Sequence, residues 1–203
     1  FSFGSGSWYR RRALLQAGLR PGMTVLDVAI GTGLVARQAL AITGDPQSVV
    51  GLDVSAGMLA EVGRLLKIPL LQGLMEQLPV ADARFDFVSM GYALRHVADL
   101  NATFREFHRV LRPGGTLLIL EITRPAQPFK RALLKFYMGR LIPLLSRLTT
   151  GNRDMQTLMR YYWDTIESCV PPDTIIEAIR AAGFAEAGCN VEFGLFRAYF
   201  GRN

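Results

Sequence analysis

Four stretches of this chain carry residue types that can do chemistry, each at the end of an apolar run. Val25-Leu26-Asp27-Val28-Ala29-Ile30-Gly31-Thr32-Gly33 brings a carboxylate and two glycines into a tight turn. Asp53 closes the run Val49-Val50-Gly51-Leu52, twenty residues after Gly33, and Val54 and Met58 follow it. Gln72-Gly73-Leu74-Met75-Glu76 ends a third run. Met90-Gly91-Tyr92-Ala93-Leu94-Arg95-His96 ends a fourth and sets a permanent cation beside an imidazole. A carboxylate at a strand end accepts both hydroxyls of a ribose, and a glycine turn lets the backbone come close to a ligand. An apolar run, a glycine turn, a helix and a second run ending in acid is how an open α/β sheet binds a nucleoside cofactor.

The turn departs from the dinucleotide pattern G-x-G-x-x-G. Ala29 holds the place of its first glycine, and Leu34-Val35-Ala36 supply no third. Asp27 is expected inside the loop, where an anion would lie, so its charge repels a pyrophosphate and suits a cationic or zwitterionic ligand. S-adenosylmethionine, with an ammonium, a sulfonium and no phosphate, fits better than a dinucleotide. The expected cofactor surface is Asp27, Ala29, Gly31, Gly33, Asp53, Val54, Met58, Leu74, Met75, Glu76, Met90 and Tyr92, the last by packing.

The elements that must position these residues follow from periodicity. Strands are expected near 24–29, 49–53, 69–72, 85–90 and 115–122, and helices near 8–17, 34–43, 56–66 and 101–111. Ser55 is a plausible N-cap, with Met58, Leu59, Val62, Leu65 and Leu66 as one stripe. A helix near 173–182 follows Pro171-Pro172 and stops at Gly183. Runs at 190–193 and 195–200, with Gly194 between, predict a closing antiparallel hairpin. Alternating strands and helices predict an α/β fold, doubly wound around a mostly parallel sheet.

The chain has 203 residues, half of them apolar and a fifth charged, which fits one domain spanning 1–203 with a sizeable core. Two cysteines, Cys169 and Cys189, and two histidines have no metal-ligand spacing, so no metal is expected. The unclustered cysteines fit a reducing, cytoplasmic setting. No apolar run is long enough to span a bilayer. The chain begins at Phe1, so upstream residues are expected to be missing from this sequence.

The net charge of +6 is concentrated. Arg124 to Trp163 holds eight basic residues (Arg124, Lys130, Arg131, Lys135, Arg140, Arg147, Arg153, Arg160) and one acid, Asp154. Phe129, Leu133, Leu134, Phe136, Leu141 and Leu144 interleave with them, and Pro143 breaks any long helix. Basic and apolar together predict a helical lid at about 125–165 that touches an anionic membrane surface, against the plainer reading of amphipathic helices with a solvated basic face. The segment is too apolar for a nucleic-acid groove, so no nucleic-acid partner is expected.

An ordered set of short matches runs along nearly the whole chain. It comprises Ser2-Phe3-Gly4, Val25-Leu26-Asp27 with Gly31-Thr32-Gly33, Asp53 with Met58-Leu59, and Glu76 with Leu78-Pro79. Leu94-Arg95 with Val97, Arg109-Val110-Leu111 with Pro113-Gly114-Gly115, Leu118 with Leu120-Glu121, Arg160-Tyr161, Ala182-Gly183-Phe184 and Gly194 complete it. The set resembles the ubiquinone/menaquinone-biosynthesis C-methyltransferases, within the class I S-adenosylmethionine-dependent methyltransferases. The resemblance implies a seven-stranded Rossmann-like sheet, a lid, and methylation of a ring carbon of a polyprenylated quinol. Ile30 departs from the family's usual glycine and is expected to keep the backbone farther from the ligand. Leu74 replaces a usual Asn or Asp that meets the adenine, and Ala93 and His96 replace the usual Gly and Asn around Arg95.

Carbon methylation of a hydroquinol needs a phenolate, so the implied catalytic residues are Arg95, a fixed cation for the oxyanion, and His96, a general base. The plainer alternatives are a salt bridge for Arg95 and a hydrogen-bonded loop residue for His96. His108 reads as structural. Glu121 either meets the substrate or caps the next loop. Two other readings stay open: the same fold acting on another small acceptor, such as a phenolic natural product or a lipid amine, and a non-catalytic cofactor-binding domain.

Overall fold

Parallel strands buried on both faces need near-continuous apolar sequence, and the runs ending at Val28, Asp53 and Gly91 supply it. A computed structural model describes residues 5–122, 170–192 and 194–203, with residues 127, 129, 132, 136 and 140. Its elements are α1 (Ser5–Gln16), β1 (Val25–Val28), α2 (Leu34–Thr43), β2 (Val49–Asp53), α3 (Ala56–Leu65), β3 (Leu70–Gln72) and β4 (Phe85–Gly91). They continue as α4 (Leu100–Val110), β5 (Leu111–Ile122), α5 (Pro172–Ala181), β6 (Glu186–Glu192) and β7 (Phe196–Arg202).

The seven strands lie in the order β3-β2-β1-β4-β5-β7-β6. The first five are parallel, while β7 runs antiparallel to both β5 and β6. The order reverses between β1 and β4, and Val28 faces Leu52 on one side and Met90 on the other. The carboxyl ends of three strands therefore meet at one switch point, where ligands bind in such sheets.

Two cores cover the sheet. Leu26, Val28, Val88, Met90, Leu117 and Ile119 pack against Phe104 and Phe107 of α4 and Ile175 and Ile179 of α5. On the other face, Val25, Val49, Phe87, Leu118 and Leu120 pack against Leu14 of α1, Ala36 and Ala39 of α2 and Val62 of α3. Among the described residues no helix is long and apolar enough to cross a membrane.

Several boundaries differ from expectation. The stripe on α3 is split: Val62 and Leu66 are buried, but Met58 and Leu65 are exposed. β5 starts at Leu111, and a register shift against Phe85 and Phe87 absorbs Pro113-Gly114-Gly115. β6 starts at Glu186 because it pairs with β7 along its whole length, although its residues show no apolar alternation. His108 is structural as expected, packing edge-on against Phe184 with centroids 5.1 Å apart. The expected lid at 125–165 lies almost wholly outside the described residues, as does Cys169; within it Phe129 and Phe136 are exposed.

Candidate functional site

Among the described residues three other than glycine have a left-handed backbone; Ala83 lies in the turn before β4, and the other two meet at the switch point. Ala29 after β1 has φ 53° and Tyr92 after β4 has φ 60°, a conformation that residues other than glycine seldom adopt. Each costs on the order of 1 kcal/mol or more, and such strain gathers at functional sites. The two residues follow neighbouring strands and so flank one cleft. Gly31 shares the left-handed conformation, and a Cβ placed there would meet only the Ala29 carbonyl, at 3.9 Å. That face of the turn is open to a ligand.

Two neighbours of Gly31 have packing roles that the sequence does not show. A Cβ on Gly33 would come within 2.6 Å of Val62 and 2.8 Å of Leu66. The residue is small so that α2 can start against α3, beyond any service to a cofactor. Ile30 does not hold the turn back from the cleft. Its side chain is 5% exposed and fills the space over Gly51, so it points into the core.

Asp27 sits one layer deeper than expected. It is 1% exposed, its Oδ1 accepts from Ser89 Oγ at 2.6 Å, and its Oδ2 accepts from the Ala36 N–H at 3.0 Å. The N-cap of α2 is Gly33, which has no side chain to offer the first turn. Asp27 supplies that acceptor from β1, where the helix dipole favours negative charge. Burial outweighs both hydrogen bonds and pushes its pKa up to about 7.

Asp53 closes the cleft from β2. Its Oδ2 accepts from the Gly31 N–H and its Oδ1 from the Ser55 N–H, each at 2.9 Å. One donor per oxygen leaves each oxygen a free lone pair, enough for two hydroxyls. Around it Val54, Met58 and Leu74 are 59%, 41% and 54% exposed. Three exposed large apolar side chains beside one carboxylate suit the base of a nucleoside. Gln72 holds Val54 through its carbonyl, and the Glu76 carboxylate accepts from the Ala98 N–H at 3.4 Å, tying the loops after β3 and β4 together. Met75 packs against the core, and Met90 is fully buried in it, so Met90 can offer the cleft its backbone alone.

Arg95 and His96 lie on a single 3-10 turn, Leu94–His96. Two bonds hang that turn on β5: the Tyr92 N–H donates to the Leu120 carbonyl at 2.7 Å, and the Leu94 N–H to Glu121 Oε2 at 3.2 Å. Glu121 is 3% exposed, and burial raises its pKa against the opposing pull of the Ile122 N–H and Arg95. It thus caps the turn that carries Arg95 and His96. Arg95 Nε is buried with no hydrogen-bond partner among the described residues. His96 is exposed, and partial burial and then the Arg95 charge hold its pKa below the usual histidine value. Nothing in the sequence signalled Ser89 or the α1 residues Tyr9 and Arg10, which approach this edge from far along the chain.

Among the described residues no cluster of His, Cys, Asp or Glu could hold a metal ion. A cavity of about 420 Å³ lined by Gln47, Pro69, Arg84 and Phe85 belongs to the opposite, amino-terminal edge of the sheet.

The model of the ubiE/COQ5 methyltransferase family matches residues 1–201. A ubiquinone/menaquinone biosynthesis C-methyltransferase UbiE of Shewanella sp. (strain W3-18-1) is 33% identical over 193 residues, covering 91% of this chain and 75% of the relative. A demethylmenaquinone methyltransferase of Corynebacterium efficiens is 35% identical over 195 residues, covering 96% and 82%. The crystal structure of a SAM-dependent methyltransferase from Aquifex aeolicus superposes with TM-score 0.69 at 19% identity, covering 95% of this chain and 88% of that one.

Proposed function

The chain belongs to the ubiE/COQ5 methyltransferase family, and we propose that this S-adenosylmethionine-dependent methyltransferase acts on a ring carbon of a lipophilic quinol. The named quinone-biosynthesis relatives support that acceptor. The single observation that carries the reading is the turn after β4, where Arg95 and His96 stand beside a cleft flanked by the strained Ala29 and Tyr92.

S-adenosylmethionine, when bound, supplies a methyl group activated on a sulfonium. Asp53 would receive the ribose hydroxyls, the Gly31 turn the backbone contacts, and Val54, Met58 and Leu74 the base, with Ala29, Met75, Glu76 and Tyr92 completing the surface. Asp27 acts at one remove, by fixing the start of α2. Methylation at aromatic carbon needs an electron-rich ring, so a ring hydroxyl must lose its proton. His96, held neutral at pH 7 by its lowered pKa, is the base that takes it. Arg95 holds the resulting oxyanion in place and favours the phenolate over the phenol. Orientation and exclusion of water supply much of the remaining acceleration.

The basic, apolar stretch 129–148 brings the enzyme to the anionic surface of the membrane in which a polyprenyl quinol dissolves, on its cytoplasmic side. The test is methyl transfer to a reduced 2-prenyl-1,4-naphthoquinol. Arg95→Ala should cut turnover while S-adenosylmethionine affinity stays near wild type. Full activity in both Arg95→Ala and His96→Ala would move the chemistry to other residues.

A further inference from the structure

Beyond the cofactor strands, the same edge of the sheet holds a polar cluster with hydrogen-bonding capacity unused inside the protein. Tyr9 on α1 is 3% exposed, and its ring packs on Phe196 at the start of β7 with centroids 4.8 Å apart. Arg10 lies against the Tyr92 hydroxyl. Glu192, the last residue of β6, pairs through Oε1 with Arg12 at 3.7 Å. Tyr9 Oη, Arg10 Nε and Glu192 Oε2 are buried, with no hydrogen-bond partner among the described residues. Buried polar groups are normally satisfied, and three from two elements at one edge ask for a common partner. Burial, then the nearby Tyr92, Glu192 and Cys189, raise the Tyr9 pKa, so its phenol stays a neutral donor.

Resting on the reading of this edge as the acceptor side, we propose that Tyr9, Arg10 and Glu192 form the polar end of the acceptor site and select a dihydroxylated aromatic ring. The unused atoms are two donors, Tyr9 O–H and Arg10 N–H, and one anionic acceptor on Glu192. A hydroquinol matches them: one hydroxyl accepts from Tyr9 and Arg10 and donates to Glu192, while the other is left to His96 and Arg95. The oxidised quinone has no O–H and leaves Glu192 unmatched, so the site prefers the reduced ring. An alkyl ammonium can donate to Glu192, but it brings no acceptor for Tyr9 or Arg10 and sets its charge against the guanidinium. The half-buried rings of Phe196 and Tyr92 provide flat apolar surface for such a ligand.

The experiment uses the full chain with Tyr9→Phe, Arg10→Gln and Glu192→Gln. S-adenosylmethionine affinity by calorimetry should stay within about twofold, while KM for a 2-prenyl-1,4-naphthoquinol should rise at least about tenfold. The matching quinone should compete with the quinol poorly in wild type, and its competition should be no weaker in Glu192→Gln. Tyr9→Phe is the decisive variant because it removes one unpartnered oxygen. Its thermal midpoint should hold or rise while its acceptor KM worsens, a pair of effects that a purely structural role does not produce. Wild-type turnover with unchanged quinol KM in all three variants overturns the subsite and leaves the methyltransferase reading standing. Wild type that binds S-adenosylmethionine but neither binds nor methylates the quinol overturns both the acceptor reading and the subsite.

Discussion

Replacing Asp27 by asparagine should remove a loss of stability that the wild-type protein suffers as pH rises toward neutrality. The carboxyl is 1% exposed, and its pKa in the folded chain is pushed up to about 7 from an ordinary 3.8. Between those values the folded state binds the proton more tightly than the unfolded chain does. Stability from this group is therefore fully present below the ordinary pKa and is lost as pH rises to about 7, the reverse of a salt-bridged carboxylate. A shift of about three pH units at about 1.4 kcal/mol each amounts to about 4 kcal/mol. In Asp27→Asn the amide oxygen can keep the Ala36 N–H, and the amide nitrogen can donate to Ser89 Oγ, so the packing survives without the charge. Urea unfolding of both proteins from pH 4.5 to 8.5 isolates the effect as a difference. Other groups, such as Glu106 held below the usual carboxylate range by Arg109, cancel in it. Relative to wild type, the variant should gain about 1.4 kcal/mol per pH unit up to about pH 7 and then level off. Parallel curves across that window would refute the buried, charge-penalised Asp27.

Other expectations are simpler. Asp53→Ala should weaken S-adenosylmethionine binding by roughly 1.5–3 kcal/mol in calorimetry, the scale of hydrogen bonds to a charged group; unchanged affinity would remove Asp53 from the site. His96 titrates below the usual histidine value, so the acid limb of kcat/KM should fall with a midpoint under 6.5 and flatten in His96→Ala. Lys130, Arg131 and Lys135 changed together to glutamate should abolish a weak, salt-sensitive preference for anionic over neutral liposomes in cosedimentation. No preference in wild type would return the segment to a solvated basic face.

The strand ends that build the cleft were legible because buried parallel strands need continuous apolar runs, and Asp53 closes one of them. The depth of Asp27 was not. Residues 27 and 53 both read as acids near a turn and share one face of the sheet, but Asp27 pairs with Gly51, two residues short of Asp53, and so lies deeper, beside Ser89 and beneath the start of α2. Gly33 reads as a ligand glycine, and its smallness also makes room for Val62 of α3 and for Leu66 just after it. The sequence cannot show that partner, because helix contact is set by the fold. Ile30 misled for the same reason, since Gly51 on β2 makes the room for it. β6 begins four residues before the run predicted at 190–193, because an edge strand whose residues are all half-buried or exposed has no apolar alternation to read. The approach of Tyr9 and Arg10 to Tyr92 joins residues more than eighty positions apart, and no local pattern records it.

Transfer of a labelled methyl group tests the central claim most directly. Wild-type protein, S-adenosylmethionine carrying a carbon-13 methyl and a reduced 2-prenyl-1,4-naphthoquinol are incubated together, and the product is read by mass spectrometry and carbon NMR. The account predicts one added methyl, its carbon bonded to the ring carbon beside a hydroxylated position, with S-adenosylhomocysteine formed in equal amount. A label found on oxygen, or S-adenosylmethionine bound tightly with no label on the ring, would contradict it.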